Sequence, residues 1–197
     1  MIPSEAVGVP DGALTVETWM RAEDFGPRVG LATKTENSEF GLFVSAGQAT
    51  FFVHLGGAYV EAKSQPGALH PGRWHHLAGV FDGAETRLYL DGKLQQAVPA
   101  SGTRTRNEFP FIVGGDPNSR GEVGSFFHGS LDELRISRVA RYSENAFVPQ
   151  RRLDLDADCA VLLHFDGPRG PWIYNAAGQD HWLSLAGNAQ VRAWMGF

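Results

Sequence analysis

Trp74-His75-His76 sets two imidazoles side by side, which would suit metal ligation or proton transfer if both faced one point. They open an apolar run, however, and adjacent residues of a strand point to opposite faces. Two rings so placed cannot serve one metal, and the reading is one His packed and hydrogen-bonded inside, the other near the surface. Asp132-Glu133 pairs two carboxylates. Calcium takes six to eight oxygens from carboxylates and carbonyls, which makes this pair the metal candidate. Asp11, Asp116 or Glu122 would strengthen such a site, although the sequence does not place them. The competing reading of Asp132 is a carboxylate accepting backbone N–H bonds at a loop, and strand alternation sends Glu133 the other way. Asp154-Leu-Asp-Ala-Asp158 also alternates carboxylates, but it lacks the downstream Gly and Glu of an EF-hand and reads as a solvated turn.

Sugar recognition needs an exposed aromatic ring beside polar groups, because a sugar has an apolar face and a polar rim. If Phe51, Val53 and Leu55 point inward, Phe52 and His54 point outward. Across the Gly56-Gly57 turn, Tyr59 and Glu61 then point outward as well. Phe52, His54, Tyr59 and Glu61 form the candidate ligand-binding patch, and a one-residue slip in register abolishes it. The alternative is a merely amphipathic sheet surface. Trp172 reads either as an exposed platform or as an aromatic that docks the tail. Glycoside hydrolysis by retention needs two carboxylates about 5 Å apart, and Asp132-Glu133 alternate across a strand. Neither Gly-x-Ser-x-Gly nor His-Glu-x-x-His occurs. An enzyme is not expected.

The elements that must carry these residues are short strands punctuated by Gly, Asp-Gly, Asn and Pro. Strands are expected over 14–20, 40–45, 50–55, 59–63, 74–81, 86–90, 93–98, 110–114, 125–128, 130–137 and 160–165, with weaker ones near 182–185 and 190–194. Asp91-Gly92 suits a two-residue type I′ turn, since both residues tolerate the positive φ it requires. Only 139–147 could hold a short helical turn. So many strands divided by turn signals indicate an all-β sandwich or jelly roll.

The 197 residues suit one large β domain, and 43% hydrophobic with 20% charged residues supports a packed core. A net charge of −5 and the absence of a Lys/Arg block argue against nucleic acid as a partner. No apolar run is long enough for a transmembrane segment, and no signal peptide is visible at Met1-Ile-Pro-Ser-Glu5. The single cysteine, Cys159, excludes an internal disulfide and a Cys-built zinc site.

Three segments resemble the laminin-G-like members of the concanavalin A-like lectin and glucanase superfamily. They are Leu14-Thr-Val-Glu-Thr-Trp-Met20; Gly72-Arg-Trp-His-His-Leu-Ala-Gly-Val-Phe-Asp-Gly83 with Arg87-Leu-Tyr-Leu-Asp-Gly92; and Phe127-His-Gly-Ser-Leu-Asp-Glu-Leu-Arg-Ile-Ser137. The resemblance implies a jelly roll of two antiparallel sheets, often with a structural calcium near the rim. Asp132 falls in the segment matching the calcium-adjacent strand. It further implies a non-catalytic module for polysaccharide or glycoconjugate, or else for a cell-surface protein, in a larger extracellular or periplasmic bacterial protein. The superfamily's glycosidases carry Glu-x-Asp-x-x-Glu on one strand, and that motif is absent here.

The opening strands common in the family are cut short in this chain. A comparable pattern sits at the other end, in Val161-Leu-Leu-His-Phe-Asp-Gly167, Asn175-Ala-Ala-Gly178 and Leu183 to Val191. Residues 1–197 are therefore read as a single domain whose tail, 160–197, docks in place of the missing strands, anchored by Phe165, Trp172, Trp182, Trp194 and Phe197. The competing reading is the first piece of a following repeat.

Overall fold

Alternating residues divided by glycine-bearing turns fold into short antiparallel strands, because each strand has an apolar side to bury and each turn supplies the φ it needs. The computed structural model describes residues 1–7, 11–167, 172–178 and 182–192. A single helical turn, α1 (Ser4–Val7), precedes β1 (Leu14–Ala22), β2 (Val29–Lys34), β3 (Phe40–Ser45), β4 (Gln48–Leu55) and β5 (Ala58–Lys63). Then come β6 (His75–Phe81), β7 (Glu85–Leu90), β8 (Lys93–Pro99), β9 (Ile112–Val113), β10 (Asp116–Pro117) and β11 (Val123–Gly124). The chain continues through β12 (Gly129–Ser137), β13 (Cys159–Leu163), β14 (Trp172–Tyr174) and β15 (Trp182–Ser184).

Two sheets make the sandwich. One has six strands in the order β13-β12-β1-β6-β7-β8, the other five in the order β5-β4-β3-β2-β9. Their facing sides bury Leu14, Val16, Leu77, Leu88 and Ile136 against Phe40, Leu42, Phe51 and Val53 in one apolar core. Gly79 is the point of closest approach: a Cβ there would lie 2.1 Å from the Phe51 ring. Asp91 and Gly92 take φ of 49° and 74°, as the hairpin between β7 and β8 requires.

Several expectations change. Segment 29–34 is a strand, which the sequence reading left out; its pairing to β3 is interrupted by an irregularity at Gly30/Ala32, so alternation there is broken. No helix forms over 139–147, and 125–128 and 190–192 are not strands. Instead 138–158 crosses the outer face of the six-stranded sheet. There Ala140, Tyr142 and Phe147 pack on Ala78, Val80 and Tyr89, and the Trp19 indole N–H donates to Gln150 O at 2.9 Å. This cover explains why β6 is buried at every position.

The tail reaches the sheet as well. β13 pairs with β12 at the sheet edge, and Asn175 lies buried beside it. The Asn175 Oδ1 accepts the Leu162 N–H at 2.9 Å, and Ala176 N–H donates to Leu162 O at 2.8 Å. β14 and β15 form a hairpin that puts Leu183 into the main core, with Phe165 and Ile173 against it. Trp172 is not an anchor but stays 46% exposed. Trp194 and Phe197 lie outside the described residues.

Candidate functional site

The register expected for the first patch is the one that forms: Phe52 lies opposite Glu61, and His54 opposite Tyr59. Neighbouring groups nevertheless close the patch. Phe43 of β3 stacks on Phe52 with centroids 5.2 Å apart. Gly41 makes room for them, since a Cβ there would meet the Phe43 ring at 2.4 Å. Tyr59 stands edge-on to Phe52 at 4.6 Å and to His54 at 4.7 Å. Its hydroxyl accepts the Asn37 N–H at 2.7 Å, so the loop after β2 roofs this end of the face. Phe52 and His54 are left only 4% and 5% exposed and present no surface to a ligand. Tyr59 and Glu61 remain exposed, Glu61 paired to Lys63 at 2.5 Å. What the sequence reading missed was a third strand: Phe43 reaches Phe52 across β3 and turns an open ring into a self-packed layer.

The two histidines do point to opposite faces, but both are buried. His75 Nδ1 lies 2.9 Å from Asp91, and His76 Nε2 lies 3.2 Å from Glu17. Glu17 also takes Arg135 at 2.8 Å and the Tyr142 hydroxyl at 2.8 Å. Burial alone would raise the Glu17 carboxyl; the hydrogen bond and charge of His76, with Arg135, outweigh it and hold the group below the usual range. Burial and the Glu17 charge push the Tyr142 phenol up. This network lies beneath Trp19 and Phe147 with no route for a substrate, so its role is to fix the cover to the sheet.

Asp132 and Glu133 sit at a bulge. Trp19 pairs with Asp132 and Glu17 with Arg135, so β12 carries one extra residue. Glu133 takes φ 50°, breaking the alternation that would send it away from Asp132. Its carboxylate accepts the Leu153 N–H at 2.8 Å and meets His164 Nδ1 at 2.9 Å. Burial first, and the nearby Glu133 charge second, push the Asp132 carboxyl up to about 6. The donor set does not fit calcium. One Asp132 oxygen already accepts the Glu133 N–H, and among the described residues no three His, Cys, Asp or Glu side chains converge to hold a cation. Asp116 is instead bound to Arg28 and Thr35, each at 2.7 Å.

Beyond this bulge opens a cleft of about 130 Å³, at the seam between the covering segment, the end of β13 and the β14–β15 hairpin. Alternation along β14 turns Ile173 to the core and leaves Trp172 and Tyr174 at the mouth, 46% and 50% exposed. Arg152 and Asp166 form an exposed ion pair at 2.5 Å that lines the same cleft, as does His164. Asp132 and Glu133 do not line the cleft. Sequence reasoning considered Trp172 alone, because Asp166, His164 and Arg152 lie 6 to 20 positions from it and meet only through the β12–β13 pairing and the terminal hairpin. The signal that could have found them is the alternation Trp172-Ile-Tyr174.

Comparison with known proteins bears on these features. The sequence pattern of a laminin-G-like family, described as the concanavalin A-like lectin/glucanases superfamily, matches residues 2–145. No curated protein matches the chain. Among solved structures, a Bacteroides ovatus protein provisionally described as carbohydrate binding has a TM-score of 0.69 at 19% identity, over 92% of this chain and 56% of that one. The CBM40 module of a Ruminococcus gnavus IT-sialidase, bound to α2,3-sialyllactose, has a TM-score of 0.59 at 16% identity, over 70% and 82%. Domains LG4-5 of the mouse laminin α1 chain have a TM-score of 0.54 at 23% identity, over 72% and 42%. This chain thus spans about half the length of the first and less of the last. At these identities the likeness shows the fold: a two-sheet jelly roll.

Proposed function

The chain belongs to the concanavalin A-like lectin/glucanase superfamily, and from that premise we propose that it is a non-catalytic module binding polysaccharide or glycoconjugate through the cleft beside Trp172. The observation that carries this is that the exposed Trp172 and the Arg152–Asp166 pair line one open depression. A pyranose needs an apolar platform for its C–H face and paired donors and acceptors for its hydroxyls. Two structures of like fold are described as carbohydrate binding, which supports the same reading. Glu133, the buried carboxylate nearest the cleft, is already committed to His164 and a backbone N–H. Hydrolysis would need a second carboxylate facing the same space, which is why the module is read as a binder. An extracellular or periplasmic setting within a larger bacterial protein accords with that role. Phe126, two-thirds exposed on the loop before β12, is a feature that favours a cell-surface protein as partner instead.

A glycan array probed with the full chain tests the reading. At least one glycan is expected to be retained by the native protein and lost by Trp172→Ala, whose melting temperature stays unchanged. Retention indifferent to Trp172 would remove the cleft as the seat.

A further inference from the structure

Resting on that cleft as the glycan seat, we infer that it accepts an uncharged pyranose and discriminates against carboxylated or sulfated sugars. The reason is how its charges are already spent. Among the described residues Arg152 is the one guanidinium lining the cleft, and it meets Asp166 at 2.5 Å and Glu133 at 3.7 Å. His164 meets Glu133 at 2.9 Å. Among the described residues, Arg152 and His164 at the mouth thus each have a carboxylate of the protein beside them, and Asp132 adds a further acid nearby.

Among the described residues an acidic sugar entering here would find no cation that lacks a carboxylate neighbour, and it would stand close to the exposed carboxylate of Asp166. Like charges at such separations oppose binding even at the high effective dielectric of a surface site. A neutral ring meets the opposite situation. Neighbouring hydroxyls each donate and accept, so one donates to Asp166 while the other accepts from Arg152, without breaking their pair. Trp172 then receives the C–H face. An ion pair lining the same cleft as an aromatic ring is a donor–acceptor fork suited to a diol rather than a clamp suited to an anion.

The matched probes are lactose with α2,3-sialyllactose, and neutral with uronate-bearing or sulfated oligosaccharides on an array, measured at pH 7.5 and low salt. Uncharged glycans should bind at least about tenfold tighter than their acidic counterparts. Trp172→Ala should lose that binding. Asp166→Asn, which keeps an acceptor but removes the charge, should narrow the gap about threefold or more without shifting the melting temperature. A preferred ligand that is acidic and still lost by Trp172→Ala would overturn the discrimination and leave the glycan seat standing. If nothing is retained, or if binding ignores Trp172, the seat falls and the discrimination with it.

Discussion

Leu183→Ala asks whether the tail is part of the same cooperative unit as the sandwich. Leu183 is nearly fully buried in the main core, although it lies 38 positions beyond the last residue of the family match. Truncating a buried leucine removes its transfer free energy and leaves a partly collapsed cavity, costing about 2–5 kcal/mol. The side chain sits on a three-residue strand at the rim of the core, where neighbours can relax, so the lower half of that range applies, about 2–3 kcal/mol. In a domain of this size 1 kcal/mol moves the melting temperature by about 2–4 °C, which gives a fall of roughly 4–12 °C. Calorimetry should show one transition, displaced as a whole. Urea unfolding should show a lower midpoint at unchanged slope. A main transition that stays within about 1 °C of the native one, or a separate early melt of the tail, would refute the single unit and favour a truncated following repeat.

Asn175→Ala tests the same docking from the polar side. It strips the acceptor from the buried Leu162 N–H, and a cost of about 1–3 kcal/mol should appear in the same transition. The Asp132 carboxyl titrates near 6 in the folded protein, above its ordinary 3.8, so the native state holds that proton more tightly than the unfolded chain. The penalty of the ionised form is therefore present above pH 6 and is relieved as pH falls from about 6 towards 4. Asp132→Asn should stabilise at pH 7.5 by on the order of 1 kcal/mol after screening at this half-buried site, and by little at pH 4; equal effects at both pH values in thermal melts would contradict the assignment. Calcium and chelator should leave the melting temperature alone, since Asp132 has no convergent donors. A rise of several degrees in millimolar calcium would show that a rim cation site exists after all.

The strands that the sequence showed best were those whose turns announce themselves. Asp91-Gly92 needs positive φ twice and has it; the register of β4–β5 follows from its turn, and that of β7–β8 does so up to the shift at Leu88/Tyr89. Strand β2 was illegible because Val29-Gly-Leu-Ala-Thr-Lys34 carries a glycine and a register irregularity, and so shows no clean period of two. Segment 139–147 has apolar spacing that suits a helical turn, yet it serves as an extended lid, because Tyr142 and Phe147 stack on each other and must reach Tyr89 and His76 together. The face holding Phe52, His54, Tyr59 and Glu61 was correctly composed, but its exposure was not readable. Exposure there depends on Phe43 and on the loop carrying Asn37, neither of which belongs to the hairpin.

The location of the cleft follows from what the rest of the fold has used up. The outer face of the six-stranded sheet is covered by 138–158, with buried Glu17, His76 and Arg135 fastening the cover. On the outer face of the five-stranded sheet the Phe43–Phe52–Tyr59 stack covers Phe52 and His54, and near β2 the chain at Gly115 lies over the sheet, its carbonyl accepting the Thr33 hydroxyl at 2.7 Å. A Cβ on Gly30 would lie 2.2 Å from that same carbonyl, so the chain lies tight on the sheet. Exposed rings beside a polar ion pair lie at the seam where the covering segment and terminal hairpin meet the end of β13. That seam is made of Arg152, His164, Asp166, Trp172 and Tyr174, all beyond the 2–145 region shared with the family. If the cleft is the proposed glycan seat, substitution there should alter recognition without disturbing the strand pairing of the two main sheets. Ligand choice would then be separable from fold stability, and relatives that share this sandwich need not share a ligand.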